Sequence, residues 1–219
     1  SGVDATKIVQ MAFISGSVTE FHFDNVYFSS AASNYSTGIA GRLVNGYIKN
    51  ATVFQDNNGD GILNNNKDGV DEAGEEPYAL TGADGKFNLV GASAKGGSLI
   101  TVSSSDTVDT STNEVVTNVF KAPANASVIS PLSTLVEAGT KSGLTEAQVK
   151  TAFGITAADS LLNFDPVQKA LSGNAQDIAT AMAFKTASVM VSNLMDVGSN
   201  LIQGAKGNNS TDFSSSVVN

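Results

Sequence analysis

The pattern of apolar and polar positions along the chain changes character near residue 128. Before that point, short runs of β-branched and aromatic residues alternate with Gly, Asn and Asp turns, whereas Ala, Leu, Met and Gln recur at helical spacing after it. The first part therefore predicts strands and the second part predicts helices, which makes the fold class α+β and multi-domain. Strands that recur at intervals of roughly 8 to 12 residues are typical of a small Greek-key β-sandwich.

The predicted strands divide into two groups. In the first group, the segments TKIVQMAFI and VTEFHFDNVYFS form a pair that cannot stand alone in water. The second group lies at 40–44, 47–54, 78–81 and 86–90, and continues in SLITVSSS and EVVTNVFKAP. The resulting division of the chain is terminal strands of a truncated domain at 1–30, a linker at 31–38, a β-sandwich at 39–127, a helical domain at 128–205 and a disordered tail at 206–219.

Capping residues define the helices of the second part. Ser130, Thr145 and Asp165 each precede a helical pattern; proline follows the first and third, and glutamine stands three residues after the second. The last and longest helix is predicted at about 175–203. Because apolar residues lie on several of its faces, we expect it to be covered on more than one side.

Charge and cysteine content narrow the classes of partner. The chain has 12 Lys and Arg against 21 Asp and Glu, a net charge of -9, so its surface repels nucleic-acid phosphates and anionic lipid headgroups. No apolar run reaches the ~18 residues of a transmembrane helix, so we expect no membrane insertion. The chain contains no cysteine, which excludes thiolate metal sites, thiol nucleophiles and disulfides and fits an exported protein.

The polar run DNNGDGILNNNKDGVDEAGEEP, at 56–77, contains the main candidate chemistry. Calcium takes about six to eight hard oxygen ligands, and acids or amides at alternate positions around a glycine can supply them. Counted from the first aspartate, a glycine stands sixth, but the twelfth position is Lys67 instead of the closing glutamate. The candidate ligands of this first copy are Asp56, Asn58, Asp60, the Ile62 carbonyl and Asn64.

The pattern begins again eight residues later, and this second copy ends in an acid. Its candidate ligands are Asn64, Asn66, Asp68, the Val70 carbonyl, Glu72 and Glu75. Two interpretations follow: two adjacent calcium ions that share Asn64, or one ion held by the first copy and by Asp71, Glu75 or Glu76. Zinc or copper would favour His or Cys, and the chain has a single histidine. A solvated acidic loop is the alternative to a calcium site.

The segment GYIKNATVFQDNNGDGILNNNKDGVDEAGEEPYALTGADGKFNLVG resembles the calcium-binding B-type repeats of Gram-positive adhesins and related prealbumin-like modules of large bacterial surface proteins. The resemblance covers about 50 residues: an ATVF-like strand, the D-x-N-x-D-G loop, a G-E-P-like segment and D-G-x-F. It departs where the segment before Gly74 is longer and where Thr81-Gly82 replaces Thr-Asp. The resemblance implies an extracellular or cell-surface module that calcium stiffens, and a prealbumin-like sandwich.

A second resemblance involves KIVQMAFISGSVTEFHFDNVYF at the N-terminus, which is similar to the closing strands of jelly-roll carbohydrate-binding modules and laminarinase-type enzymes. It covers roughly 25 residues and implies that polysaccharide, or neighbouring domains of the same polypeptide, are the partners. It also supports an alternative function, in which the chain is part of a polysaccharide-degrading glycoside hydrolase or of its carbohydrate-binding region.

Catalytic groups are sparse in the sequence. His22 is the only candidate imidazole base and lies in an alternating strand, while no serine stands in a G-x-S-x-G turn. Carboxylates for glycoside hydrolysis could come from Glu72, Glu75 and Glu76, but those acids fit metal ligation better. The Met190, Leu194 and Met195 cluster favours core packing over an apolar ligand. We therefore expect a non-catalytic, calcium-stabilised spacer, adhesion or accessory module.

Overall fold

The computed structural model describes residues 38–66 and 74–206, and within the last helix it describes side chains as far as Leu201. In this part the chain forms nine strands followed by four helices, which confirms the predicted α+β class. The strands predicted within 1–30, nearly all of the predicted linker and the tail from residue 207 lie outside the described residues.

The strands fall within residues 39–129. They are β1 (Ile39–Leu43), β2 (Ile48–Lys49), β3 (Thr52–Asp56), β4 (Tyr78–Leu80), β5 (Lys86–Leu89), β6 (Ser98–Val102), β7 (Val108–Asp109), β8 (Lys121–Ala122) and β9 (Val128–Ile129). The single strand predicted at 47–54 is divided into β2 and β3. The division falls at Asn50, whose φ of 60° interrupts extended backbone.

Three sheets form from these strands. One has the order β5-β1-β9, with β1 antiparallel to β5 and parallel to β9; a second is antiparallel in the order β4-β3-β6-β8; and β2 pairs with β7. Leu43 and Leu89 from the first sheet, Val53 and Leu99 from the second and Ile48 from β2 are buried in one hydrophobic cluster. The two larger sheets therefore share a core, and that core holds β3 in a defined place.

Four helices follow the last strand: α1 (Pro131–Thr140), α2 (Glu146–Ala152), α3 (Pro166–Ala170) and α4 (Ala175–Lys206). The predicted caps are confirmed, because Ser130, Thr145 and Asp165 each accept a hydrogen bond from a backbone N–H of the first turn. The change from strand to helix falls at Ser130, since Val128 and Ile129 still pair with β1.

The longest helix, α4, is buried along one face. Phe184, Val191 and Met195 pack into a second hydrophobic cluster, where the Phe184 ring lies 3.9 Å from that of Phe164. Met190 and Leu194 are 55% and 65% exposed. The expectation that α4 is covered on more than one side is therefore wrong for the described residues, and so is core packing for two members of the methionine and leucine cluster.

The strand and helical parts are joined by both apolar and polar contacts. Leu162 packs against both hydrophobic clusters, and its carbonyl accepts the backbone N–H of Ser127 at 3.0 Å. Arg42 Nη1 lies 2.9 Å from Asp165 Oδ2, to which the Tyr47 hydroxyl also donates at 3.0 Å. Burial and the hydrogen bond to Asp165 raise the pKa of Tyr47. These contacts attach β1 and the following turn to the beginning of α3.

Candidate metal centre

The polar loop begins where β3 ends. Asp56 is the last residue of β3 and is paired with Ser98 of β6, so its position is set by the four-stranded sheet. Its carboxylate is 7% exposed and accepts two backbone hydrogen bonds, from Gly59 at 2.7 Å and from Gly61 at 3.0 Å. Both glycines have a positive φ, 80° and 75°, a backbone conformation that residues with a side chain rarely adopt. The loop therefore curls around the Asp56 carboxylate, as the glycine pattern predicts.

The side chains of the first copy converge on Asp60. Asp60 Oδ2 lies 3.0 Å from the side-chain nitrogen of Asn58 and 3.0 Å from that of Asn64. The same Asn64 nitrogen lies 3.0 Å from the Ile62 carbonyl oxygen. The bond from Asn64, the backbone N–H of Ile62 and the bond from Asn58 lower the pKa of Asp60. Four of the five ligands predicted for the first copy are thus side by side at the surface.

Asparagine side chains suit a candidate cation site because the amide can turn either its nitrogen or its oxygen toward a neighbouring group. The oxygen and nitrogen of an amide have nearly the same shape, so a half-turn of the amide exchanges donor for acceptor without moving the backbone. Asn58 already directs its oxygen to the Asp60 N–H at 2.9 Å. A half-turn of the Asn64 amide would place its oxygen beside the Asp60 carboxylate and the Ile62 carbonyl, where a cation could hold all three.

Glu76 closes the loop at its base. Its side chain is 2% exposed; Oε1 accepts the backbone N–H of Asn57 at 2.8 Å, and Oε2 accepts that of Asn64 at 3.0 Å. The Glu76 backbone N–H in turn donates to the Asn64 carbonyl at 2.9 Å. One carboxylate therefore holds both ends of the first copy, at residues 57 and 64.

The second copy is described only in part. Glu75 Oε1 accepts the backbone N–H of Asn66 at 3.0 Å, so these two described residues, which flank the segment at 67–73, lie next to each other. Asp68, the Val70 carbonyl and Glu72 of this copy lie outside the described residues, and so does Asp71, a candidate ligand of the single-ion alternative. Among the residues that are described, no group of three or more His, Cys, Asp or Glu side chains is placed to hold a metal ion. Any site in the first copy would therefore combine carboxylates with amide and carbonyl oxygens, which calcium accepts.

Support for the loop from the segment at 93–97 is not evident in the sequence. The side chain of Gln55, 1% exposed, accepts the Ser93 N–H at 2.9 Å and donates to the Ser93 and Gly97 carbonyls. The Gly97 N–H donates to Asn57 Oδ1 at 3.1 Å, and a Cβ at Gly97 would collide with the Asp56 carbonyl oxygen. The paired glycines in GASAKGG are the signal that could have indicated this close approach.

A lysine lies beside the inner carboxylate of the loop. Lys121 of β8 lines a cleft of about 310 Å³ together with Asp56, Gly59 and Glu137 of α1. Burial lowers the pKa of Lys121, and attraction to Asp56 and Glu137 opposes that shift. Glu137 also accepts a hydrogen bond from the Ser98 hydroxyl. The buried end of the loop is thus partly neutralised by the protein, while Asp60 at the outer end has amides and N–H groups around it.

The candidate catalytic groups do not form a reactive arrangement in the described residues. His22 and Glu72 lie outside them, and the carboxylates of Glu75 and Glu76 accept backbone N–H groups of the loop. A groove of about 880 Å³ lies between α4 and the segment at 109–118. One of its three acids, Asp109, accepts hydrogen bonds from Gly46 and Ser111, which gives that carboxylate a structural role.

Comparison with models of protein families, with curated proteins and with solved structures found no match. Function therefore has to be inferred from the residues of the chain itself.

Proposed function

We propose that the chain is a non-catalytic, calcium-stabilised module of a secreted or cell-surface protein, acting as a spacer, an adhesion module or an accessory region. The single observation that carries this proposal is the convergence of Asn58, Asn64 and the Ile62 carbonyl on Asp60. Ligand oxygens bound to one calcium at about 2.3–2.6 Å lie roughly 3 Å from their neighbours. In this group each 3.0 Å distance joins an asparagine side-chain nitrogen to an oxygen of Asp60 or Ile62, so a half-turn of the Asn64 amide would set three oxygens at about that spacing.

The protein supports such an ion with a prearranged frame. Asp56 holds the two glycine N–H groups and Glu76 holds residues 57 and 64, so little ordering of the backbone is required when an ion binds. Calcium would neutralise Asp56 and Asp60, whose mutual repulsion opposes a compact loop. Lys121 already neutralises part of this charge from the inner side.

The proposed site holds either one calcium ion or two. In the first alternative, Glu75, Glu76 or Asp71 completes the shell of a single ion in the first copy. In the second, the copy that begins at Asn64 holds a neighbouring ion with Asn66, Asp68 and later acids. The ratio of calcium to protein at saturation separates these alternatives.

The proposal includes a prealbumin-like, Greek-key sandwich as the scaffold of the loop. Its support is that the two larger sheets share one hydrophobic cluster and that the four-stranded sheet is antiparallel throughout. In that scaffold the ion would stiffen the connection between β3 and β4. Polysaccharide or neighbouring domains of the same polypeptide are the partners that we propose for such a module.

The test is calcium titration calorimetry combined with thermal unfolding of the 219-residue chain. We expect calcium to bind and to raise the melting temperature, excess chelator to reverse the rise, and magnesium at the same concentration to produce a smaller rise. Asp60→Asn should remove most of the calcium-dependent rise. Asp106→Asn is the matched control, because it removes the same charge from an exposed residue between β6 and β7.

Two results would contradict the proposal. One is a melting temperature that neither calcium nor chelator changes. The other is an Asp60→Asn variant that binds calcium as tightly as the unsubstituted chain, since the ion would then be held elsewhere.

A further inference from the structure

The exposed side of α4 has an ordered pattern. Seven exposed residues follow one another at intervals of four, three, four, four, three and four positions, which places them along a single line on the helix. We call this line the outer stripe; its members are Ala179, Ala183, Thr186, Met190, Leu194, Val197 and Leu201. Met190, Leu194, Val197 and Leu201 are between 55% and 68% exposed.

The outer stripe is separate from the face that α4 uses to pack on its own chain. Phe184, Val191 and Met195 define the inner face, and they point roughly 120° away from the outer stripe at about 100° per residue. The line of 3-4 spacing is the pattern by which one helix packs along another. An apolar line of this kind on the solvent side of a helix indicates a second helix as its partner.

The sizes of the side chains in the outer stripe indicate which helix packs against it. The N-terminal half of the outer stripe is small, with Ala179, Ala183 and Thr186, whereas the half after Met190 is large. We propose that the outer stripe is the interface of a homodimer in which the α4 helices of two copies pack antiparallel about a twofold axis at Met190. Antiparallel packing sets each large half against the small half of the other copy, as an isologous contact requires.

The register follows from this axis. Positions that face each other across the axis have numbers that sum to 380, so Leu194 faces Thr186, Val197 faces Ala183 and Leu201 faces Ala179. Parallel packing would instead bring leucine against leucine and alanine against alanine, which leaves a gap along half of the contact.

The charges of α4 permit the same contact. Asp177 pairs with Lys169 at 3.0 Å, and the Lys185 ammonium donates to the Asn45 carbonyl on the inner side. The outer stripe contains no charged residue, so two copies bring no like charges together there. Antiparallel helices also align their dipoles favourably.

The expected strength is modest. Residues 179–201 extend about 33 Å along the helix, and a strip of that length and one helix wide offers on the order of 1,000 Å² of total buried surface in a dimer. That area is near the lower limit for specific interfaces, so the dimer should form reversibly and depend on concentration.

By length and composition Ala175–Leu201 could also cross a membrane, but 39% of its most apolar window is buried within the fold. A lipid surface is therefore the competing occupant of the exposed face.

The first experiment is sedimentation velocity on the 219-residue chain from about 1 μM to about 1 mM, a range that covers the dissociation constants of weak interfaces. We expect the average mass to rise from one copy to two. Leu194→Glu should keep the chain monomeric throughout. Leu80→Glu is the matched control, because Leu80 on β4 is 62% exposed and Leu194 is 65% exposed, and it should dimerise like the unsubstituted chain.

The second experiment tests the orientation, and the absence of native cysteine makes it direct. A short thiol cross-linker should join two copies of Met190→Cys, and should join Ala179→Cys to Leu201→Cys in a mixture. Leu201→Cys alone should not cross-link, since its two copies would lie about 33 Å apart.

Three outcomes would overturn the proposed antiparallel dimer. These are a single copy at every concentration, efficient cross-linking of Leu201→Cys with itself, and a monomer that binds phosphatidylcholine vesicles unless Leu194 is replaced by Glu. The last outcome would assign the outer stripe to a lipid surface. Because the dimer does not require calcium, each of these outcomes leaves the proposed calcium site intact.

Discussion

At the scale of single residues, Asp60 and Glu76 illustrate two uses of a carboxylate in one loop. Asp60 is exposed and is surrounded by the groups that we propose to bind calcium. Glu76 is buried, and both of its oxygens accept backbone N–H groups. Because a buried carboxylate is costly unless it is hydrogen-bonded, Glu76 should matter for the loop even without calcium.

Glu76→Gln should lower the free energy of unfolding by about 2 to 3 kcal/mol in excess chelator, because the amide NH₂ would face one of the two backbone N–H donors. Urea unfolding measures this loss. Glu75→Gln, next to it and half-buried, serves as the control and should cost less than about 1 kcal/mol. Equal losses for the two variants would show that Glu76 does not hold the base of the loop.

At the scale of elements, the joint between β8 and α1 depends on hydroxyl groups. Thr134 Oγ1 accepts the Lys121 N–H at 2.9 Å, and the Ser133 hydroxyl donates to the Lys121 carbonyl at 2.8 Å. Both hydroxyl residues are in the first turn of α1 and are fully buried. The first turn of the helix therefore takes the place of a neighbouring strand for β8, at the edge of the four-stranded sheet.

Thr134→Val tests this joint, since valine keeps the shape and removes the hydroxyl. We expect a loss of about 1 to 3 kcal/mol in the free energy of unfolding, because a buried backbone hydrogen bond is removed. Thr140→Val is the control: Thr140 is exposed on the same helix, and its hydroxyl donates to the Val136 carbonyl within that helix. A loss below about 0.5 kcal/mol for Thr134→Val would contradict the proposed role of the hydroxyl.

At the scale of the whole molecule, a hydrogen bond between the strand part and the helical part should make the stability of the fold depend on pH. The Tyr47 hydroxyl, after β1, donates to the Asp165 carboxylate that caps α3. Its pKa is raised by burial and by that hydrogen bond, so the folded protein holds the phenolic proton more firmly than the unfolded chain. The stability that this proton provides is fully present below about pH 10 and is lost as pH rises through the raised pKa.

Tyr47→Phe should therefore cost about 1 kcal/mol at pH 7, where the hydroxyl is neutral and bonded, and the cost should shrink as pH rises above about 10. Urea unfolding of both proteins across this range measures the difference, and groups common to both cancel. A difference that stays constant up to pH 11 would contradict the raised pKa of Tyr47.

The sequence was sufficient for the features that depend on neighbours along the chain. Helix caps at Ser130, Thr145 and Asp165 are local, because the cap and its N–H partners are two or three residues apart. The glycine at 61 likewise predicted that the loop curls inward. Order along the chain did not reveal that Gln55 supports that loop or that Glu76 binds its backbone, because these contacts join residues that are 12 to 42 positions apart.

The tertiary structure also decided which apolar residues are covered. Periodicity identified two apolar faces on α4, but it could not distinguish a face that meets Phe164 from a face that meets solvent. Local spacing determines where a side chain points on its own helix, whereas burial depends on which distant segment lies opposite. For this reason the inward curl of the loop and the starts of the helices could be derived from order along the chain, while the buried base of the loop and the exposed outer stripe could not.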